Sequence, residues 1–387
     1  MSEIRVTNVV GENGSSPVNF TKGINMSGIC TAPAFIPSQG QLSHRNLFVN
    51  GACRINQRGT VTVGSGYGGP DRWVQYKSGS GAAITSQDTD VPTGQGFRNS
   101  IKLDVSTALA SGSSNWAWIG QYIEAQDCQS ICKGTSNAKQ LTLQFWVKSP
   151  KTGTHTVRLD SNDSNDGVGA TYTVSSANTW EKKTVTFPAS TSGTINDDNG
   201  RGIHVLWVLS AGTNMSSGTL NTTWAAWVNA NAAPGQPNIL DSTDNNFYLT
   251  GVQLEVGSVA TPFEHRSIGE ELSRCQRYFF NITGDNGSRS GIPGYANSTS
   301  SLRCMVQFPA PMRAIPSISG SSTAMVFDSQ DDSASFNCSS LTAGGAPTTS
   351  NPKQMCIEVD TSGMTNGQGG QLEFRAANGF INFDAEL

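Results

Sequence analysis

From residue 46 onward, apolar side chains recur at every second position in short runs. The clearest are Leu47/Val49, Ile101/Leu103/Val105, Leu141/Leu143/Phe145/Val147, Val157/Leu159, Val185/Phe187 and Phe247/Leu249, followed by Val252/Leu254/Val256. Gly, Ser, Thr, Asn and Asp clusters separate them, so each run predicts a strand with one buried face. The last two runs differ in parity: 247 and 249 are odd, 252 to 256 even. A β-bulge at Gly251 accounts for that switch. Alternation resumes at Leu302/Cys304/Val306/Phe308, Ile357/Val359, Leu372/Phe374 and Ile381/Phe383. Many short strands without helical periods between them predict an all-β fold, a sandwich or jelly roll.

One helix interrupts this pattern. Ser267 and Glu270 have capping-box spacing, and Ile268, Leu272, Cys275 and Phe279 follow at roughly 3.6-residue intervals. Arg274 and Arg277 suit the negative end of its dipole. The helix therefore predicts a junction between two β domains. The first 44 residues carry only Ile4/Val6 and Ile24/Met26 between glycines, too little apolar surface for a core of their own. The expected organisation is an extended segment over 1–44, a β-sandwich over 45–267, and the helix with a smaller C-terminal β-sandwich over 268–387.

The chain has 387 residues, of which 42 are Gly and only 14% are charged. Its surface must then be built from Ser, Thr, Asn, Gln and Gly, a composition foreign to coiled coils. With a net charge of -4 there is no basic stripe for phosphates or anionic lipid, so neither nucleic acid nor a membrane surface is an expected partner. No apolar run reaches the roughly 18 to 20 residues of a bilayer span. The Met-Ser-Glu-Ile-Arg start resembles no secretory leader, and the eight scattered cysteines are expected to be thiols made in a reducing cytosol.

All eight tryptophans fall between Trp73 and Trp227. An aromatic face can pack against the apolar face of a pyranose while amides and carboxylates bind its hydroxyls. Trp73, Trp146, Trp180 and Trp207 sit in strand-like contexts and are expected in the core. Trp116, Trp118, Trp224 and Trp227, flanked by polar loops, and Tyr67 in a Gly-Ser loop are the glycan-contact candidates; packing between subunits is the competing use. Asp160, Asp163 and Asp166, in a run ending at Gly167, supply oxygen atoms that a Ca²⁺ ion uses. A twelve-residue loop started at Asn162 would place Thr173 where the bidentate Glu belongs, so a solvated hairpin competes with that reading. No other cofactor is expected. Cys128 and Cys132 lack partner donors for zinc, and no Ser-His-Asp, GxSxG, P-loop, HExxH or Rossmann pattern occurs. Glu255, Glu264, Glu270 and Glu271 are the carboxylates a glycan-cleaving site would draw on.

The stretch Gly251-Val252-Gln253-Leu254-Glu255-Val256-Gly257 to Pro262-Phe263-Glu264-His265-Arg266, continued by Gly269-Glu270-Glu271-Leu272 and Cys275-Gln276-Arg277-Tyr278, resembles a junction recurrent in tail-fibre and other virion proteins of tailed bacteriophages. Upstream, Asn50-Gly51, Gln57-Arg58-Gly59, Asp71-Arg72-Trp73 and Leu143 to Lys148 are similar to the galactose-binding-like, carbohydrate-binding-module jelly roll that precedes that junction. Pro311-Met312-Arg313-Ala314 and Asp384-Ala385-Glu386-Leu387 are similar to segments that follow it. Ile4-Arg5-Val6 to Asn13-Gly14 looks like the attachment segment of a phage fibre. The resemblance implies a homotrimeric virion component, assembled in the host cytoplasm and held in the particle through residues 1–44. Its distal β domains would bind a host surface polysaccharide without catalysis. A capsid or tail decoration protein that binds no sugar, or a glycan depolymerase, are the alternatives.

Overall fold

The computed structural model describes residues 43–63, 65–284, 289–329, 335–344, 350–375 and 379–387. The expected attachment segment lies outside them except for its last two residues. Residues 39–387 form one compact unit, and its fold is all-β.

Thirteen strands build the first pair of sheets: β1 Val61–Val63, β2 Gly66–Tyr67, β3 Val74–Lys77, β4 Ala82–Asp88, β5 Ser100–Thr107, β6 Trp116–Glu124, β7 Leu141–Lys148, β8 Gly153–Ser161, β9 Asp166–Val174, β10 Glu181–Phe187, β11 Arg201–Ala211, β12 Ala225–Ala226 and β13 Asn246–Val256. One sheet runs β1-β4-β5-β13-β7-β10, the other β12-β9-β8-β11-β6-β3-β2. The predicted alternation supplies the inward faces: Leu103, Leu143, Phe145, Leu249 and Leu254 from the first sheet meet Ile119, Val157, Leu159, Val205 and Trp207 from the second. Trp207 anchors this core, with Phe145 at 5.3 Å and Trp73 at 5.9 Å between ring centres.

Gly251 is the bulge. Its φ is +59°, and the β13–β7 register slips between Thr250 and Gln253, which turns both Leu249 and Val252 inward. Leu47/Val49 form no strand. That segment is tied down instead by Leu47 N–H donating to the Leu254 carbonyl and Val49 N–H to the Gln121 side chain. Trp146 and Trp180, expected in the core, are only half-buried. Trp146 lies on a strand whose odd positions, Leu143, Phe145 and Val147, take the inward face, and Trp180 donates to Asp90.

A short helix α1 (Thr213–Ser216) lies in the β11–β13 connection, and α2 (Ile268–Gln276) follows the sandwich. The Ser267 side chain caps α2 by accepting from Glu270 N–H. Cys275 is fully buried and Leu272 packs beside it, whereas Ile268 is exposed. Ten strands follow: β14 Phe279–Gly284, β15 Arg289–Ala296, β16 Ser301–Gln307, β17 Ser317–Gly320, β18 Met325–Ser329, β19 Ser335–Asn337, β20 Ser340–Ala343, β21 Gln354–Asp360, β22 Gly369–Phe374 and β23 Gly379–Asp384. They form a sheet β14-β23-β17 and a sheet β19-β18-β22-β15-β16-β21-β20 around a second core that includes Leu302, Ile357, Phe374, Ile381 and Phe383.

Ion pairs join these strands to the first sandwich. Arg72, fully buried, pairs with Glu386 and lies 3.4 Å from the Tyr278 ring centre. Arg58 pairs with Asp384 at 2.8 Å and Glu386 at 3.3 Å. Arg277 grips both oxygens of Glu124 at 2.6 and 2.8 Å.

Candidate functional site

Strand β6 turns Ala117, Ile119 and Ile123 into the sandwich core, so Trp116, Trp118 and Tyr122 stand on the outer face of the second sheet. Register brings their neighbours into rows. Tyr76 and Val208 flank Trp118, and His204 lies between Tyr122 and Asp160. The result is a strip of rings. Tyr76 stacks on Trp118 at 5.7 Å with 21° between planes, Trp118 meets the His204 ring edge-on at 4.4 Å, and His204 stacks on Tyr122 at 4.1 Å. The Arg201 guanidinium carbon lies 4.1 Å from the Tyr122 ring centre.

The strip is covered over part of its length. The segment between β11 and β13 folds Met215, Trp227, Ala232 and Ala233 over Trp116, Leu206 and Val208, with Trp227 edge-on to Trp116 at 6.0 Å. Trp116 and Trp118 are therefore each only 8% exposed, against 40% for Tyr76. The tryptophans expected at the surface form the base of the site, and the tyrosines, with Arg201, form its accessible rim. Trp227 belongs to the cover: its indole N–H donates to Asn229 and Arg158 lies 4.7 Å from its ring centre. Trp224 stands apart, donating to the Pro188 carbonyl beneath Lys133. Tyr67 joins the margin of the strip and donates its hydroxyl to the Leu387 carbonyl, which also accepts from Arg201.

Burial, reinforced by the Arg201 and Arg158 charges, drives the His204 pKa down to about 3. Its ring stays neutral near pH 7, with Nε2 buried and unpartnered. Burial also pushes the Asp160 carboxyl up, against the attraction of Arg158. The strip thus combines aromatic faces with one exposed cation and a carboxylate–guanidinium pair at its edge, chemistry suited to stacking and hydrogen-bonding a polyhydroxylated ligand.

The three aspartates proposed for calcium do not converge. Asp160 pairs with Arg158 at 2.9 Å, Asp166 with Lys133 at 2.8 Å, and Asp163 accepts from the Asn196 backbone and side chain. Among the described residues no group of three His, Cys, Asp or Glu side chains could hold a metal ion. The seven cysteines among the described residues are free thiols, Cys128 and Cys132 included. The carboxylates weighed for glycan cleavage are engaged as well. Glu255 accepts from Thr261 and Gln253, Glu264 from the Arg45 and Asn46 amides, Glu270 from Arg274, and Glu271 from the Asn50 amide.

Of the glycan-contact candidates, Trp116, Trp118 and Tyr67 lie in or beside the strip, whereas Tyr76, Tyr122 and His204 were not among the candidates. A signal was present in the even-numbered spacing Trp116, Trp118, Tyr122, which puts three aromatics on one face of a strand.

No family model matches the chain, and no curated protein matches it. Solved structures to which the chain is similar include a tailspike domain of bacteriophage CBA120, described as enzymatically active, at 14% identity and a TM-score of 0.31, covering 55% of this chain and 21% of that one. A CBM4 carbohydrate-binding module is 15% identical over 54% of this chain and 97% of its own, with a TM-score of 0.26. The family 11 carbohydrate-binding module of a cellulosomal cellulase from Clostridium thermocellum is 13% identical over 54% and 98%, with a TM-score of 0.27.

Proposed function

We propose that the chain is a non-catalytic fibre or adhesin of a tailed-phage virion that binds host surface glycans through the outer face of its second sheet. The observation that carries this reading is the ring strip Tyr76–Trp118–His204–Tyr122, open at Tyr76 and edged by Arg201 and Asp160. A shallow platform of this kind binds weakly, and repetition in a homotrimer raises the effective concentration of the second and third contacts. The virion assignment is supported by the likeness at residues 251–278 and 384–387. In the fold these residues serve as joinery, since Arg277, Tyr278, Asp384 and Glu386 bind the two groups of strands together. That Glu255, Glu264, Glu270 and Glu271, the carboxylates weighed for glycan cleavage, are held by structural partners supports a role without catalysis.

A glycan array and host-cell adsorption assay on the full chain test the reading. Tyr76→Ala, at an exposed position, is expected to lower glycan and cell binding roughly three- to tenfold with an unchanged melting temperature. Undiminished binding would remove the platform. Absence of any glycan or cell binding by the unaltered protein would favour a decoration protein, and release of reducing ends from host polysaccharide would favour a depolymerase.

A further inference from the structure

A cavity adjoins the margin of the ring strip at Tyr67, where the β14-β23-β17 sheet faces the segment that leads into β1 and β2. Pairing of β14 with β23 sets the two faces of that sheet. Phe280 and Ile282 pair with Phe383 and Ile381 and pack into or against the second core. The opposite face carries the pairs Asn281/Asn382 and Thr283/Phe380. Against water such a face needs no explanation. Here it forms one wall of a cavity of about 600 Å³, and Arg58 and Tyr67 form the other.

That volume lies within the roughly 300 to 1,000 Å³ usual for small-ligand sites, and the lining has a definite chemistry. Phe380 is exposed, and Tyr67 contributes a second ring. Asn281 spends its amide N–H on the Gln57 carbonyl, which fixes its orientation. A carboxamide both donates and accepts, the pairing that adjacent sugar hydroxyls require. Arg58 brings no net charge, because Asp384 and Glu386 flank its guanidinium at 2.8 and 3.3 Å. The wall is thus electrically balanced, aromatic at its edge and rich in amides and hydroxyls.

We propose that this cavity is a second saccharide site, which takes a neutral sugar unit with its apolar face on Phe380 and its hydroxyls on Asn382 and Thr283. It shares only Tyr67 with the margin of the ring strip, uses none of the strip's four stacked rings, and stands even where that platform binds nothing. A chain with both sites would hold two parts of one polymer, or two polymers, on a single subunit.

Saturation-transfer NMR on the full-length protein with D-glucose, D-galactose, N-acetyl-D-glucosamine and D-galacturonate tests it. At least one neutral sugar is expected to give a signal that falls roughly three- to tenfold in Phe380→Ala and Asn382→Ala, and that disappears in Thr283→Trp, which fills the cavity from an exposed position. Tyr76→Ala is expected to leave that component intact, which separates this site from the strip. No neutral-sugar signal, a signal lost in Tyr76→Ala and untouched by the cavity variants, or tenfold stronger transfer to galacturonate would each overturn the proposal. Circular dichroism identical to the unaltered protein is the condition for counting a variant, and any one folded cavity variant decides the question.

Discussion

At Gly251 one residue determines which side chains of a strand reach the core. A methyl group built there would lie 2.5 Å from the Phe97 ring, in a backbone conformation that L-residues rarely adopt. Gly251→Ala is therefore expected to cost about 1–3 kcal/mol, read as a shift in the denaturation midpoint. Glu124 makes a different test. Burial opposes its ionisation, but hydrogen bonds from Arg277 and Tyr278 and the Arg277 charge outweigh it and hold the carboxyl below its usual value of 4.5. A carboxyl depressed in the folded state stabilises above the unfolded pKa, and that contribution is lost as pH falls through the folded one. Between neutrality and about pH 5 the pair's contribution should stay constant, then decline. Glu124→Gln should lower stability at pH 7 by about 1–3 kcal/mol and flatten the acid limb of the stability curve. An unchanged acid limb would show that other carboxyls set it.

The elements were legible in proportion to how one-sided their apolar residues are. Strands β5, β7 and β13 face the core on one side, and their alternation is plain in the sequence; so are the Gly251 bulge and the Ser267 cap. Replacing Ser267 with Ala should cost about 1 kcal/mol, measured by chemical denaturation, because Glu270 N–H loses its acceptor. Strands β6 and β11 are apolar on both faces. One side meets the sandwich core, the other the cover over residues 212–234. Periodicity therefore fades where the candidate site stands. The same cover explains why Trp116 and Trp118, read as surface residues from the Ser-Gly-Ser-Ser-Asn loop before them, are buried: sequence shows the loop beside a residue but not the distant segment that folds over it. Tyr76 went unnoticed because β3 is four residues long, too short to show a period. The helix was legible in its cap and less so in its far end, since Phe279 fits the helical spacing yet belongs to β14.

At the scale of the whole molecule, ion pairs far apart in sequence do work that no local pattern announces. Arg58 and Arg72 reach Asp384 and Glu386 across more than 300 residues, and Arg313 donates to the Ala385 and Glu386 carbonyls. Only the resemblance of the segments 57–59, 71–73, 275–278 and 384–387 hinted that they belong together. Buried pairs of this kind contribute little net energy against apolar substitutes, yet removing one partner strands the other without water. Arg72→Met should therefore cost about 3–5 kcal/mol, leaving buried Glu386 to the more distant Arg58. The loss should also fall mainly on the coupling between the two cores rather than on either alone. Calorimetry of the unaltered chain is expected to give one transition for residues 39–387, and Arg72→Met two, the sandwich core and the second core melting separately. A single transition moved bodily to lower temperature would mean that the cores are joined by more than this network, with the packing around Tyr278 and Phe279 as the next contact to remove.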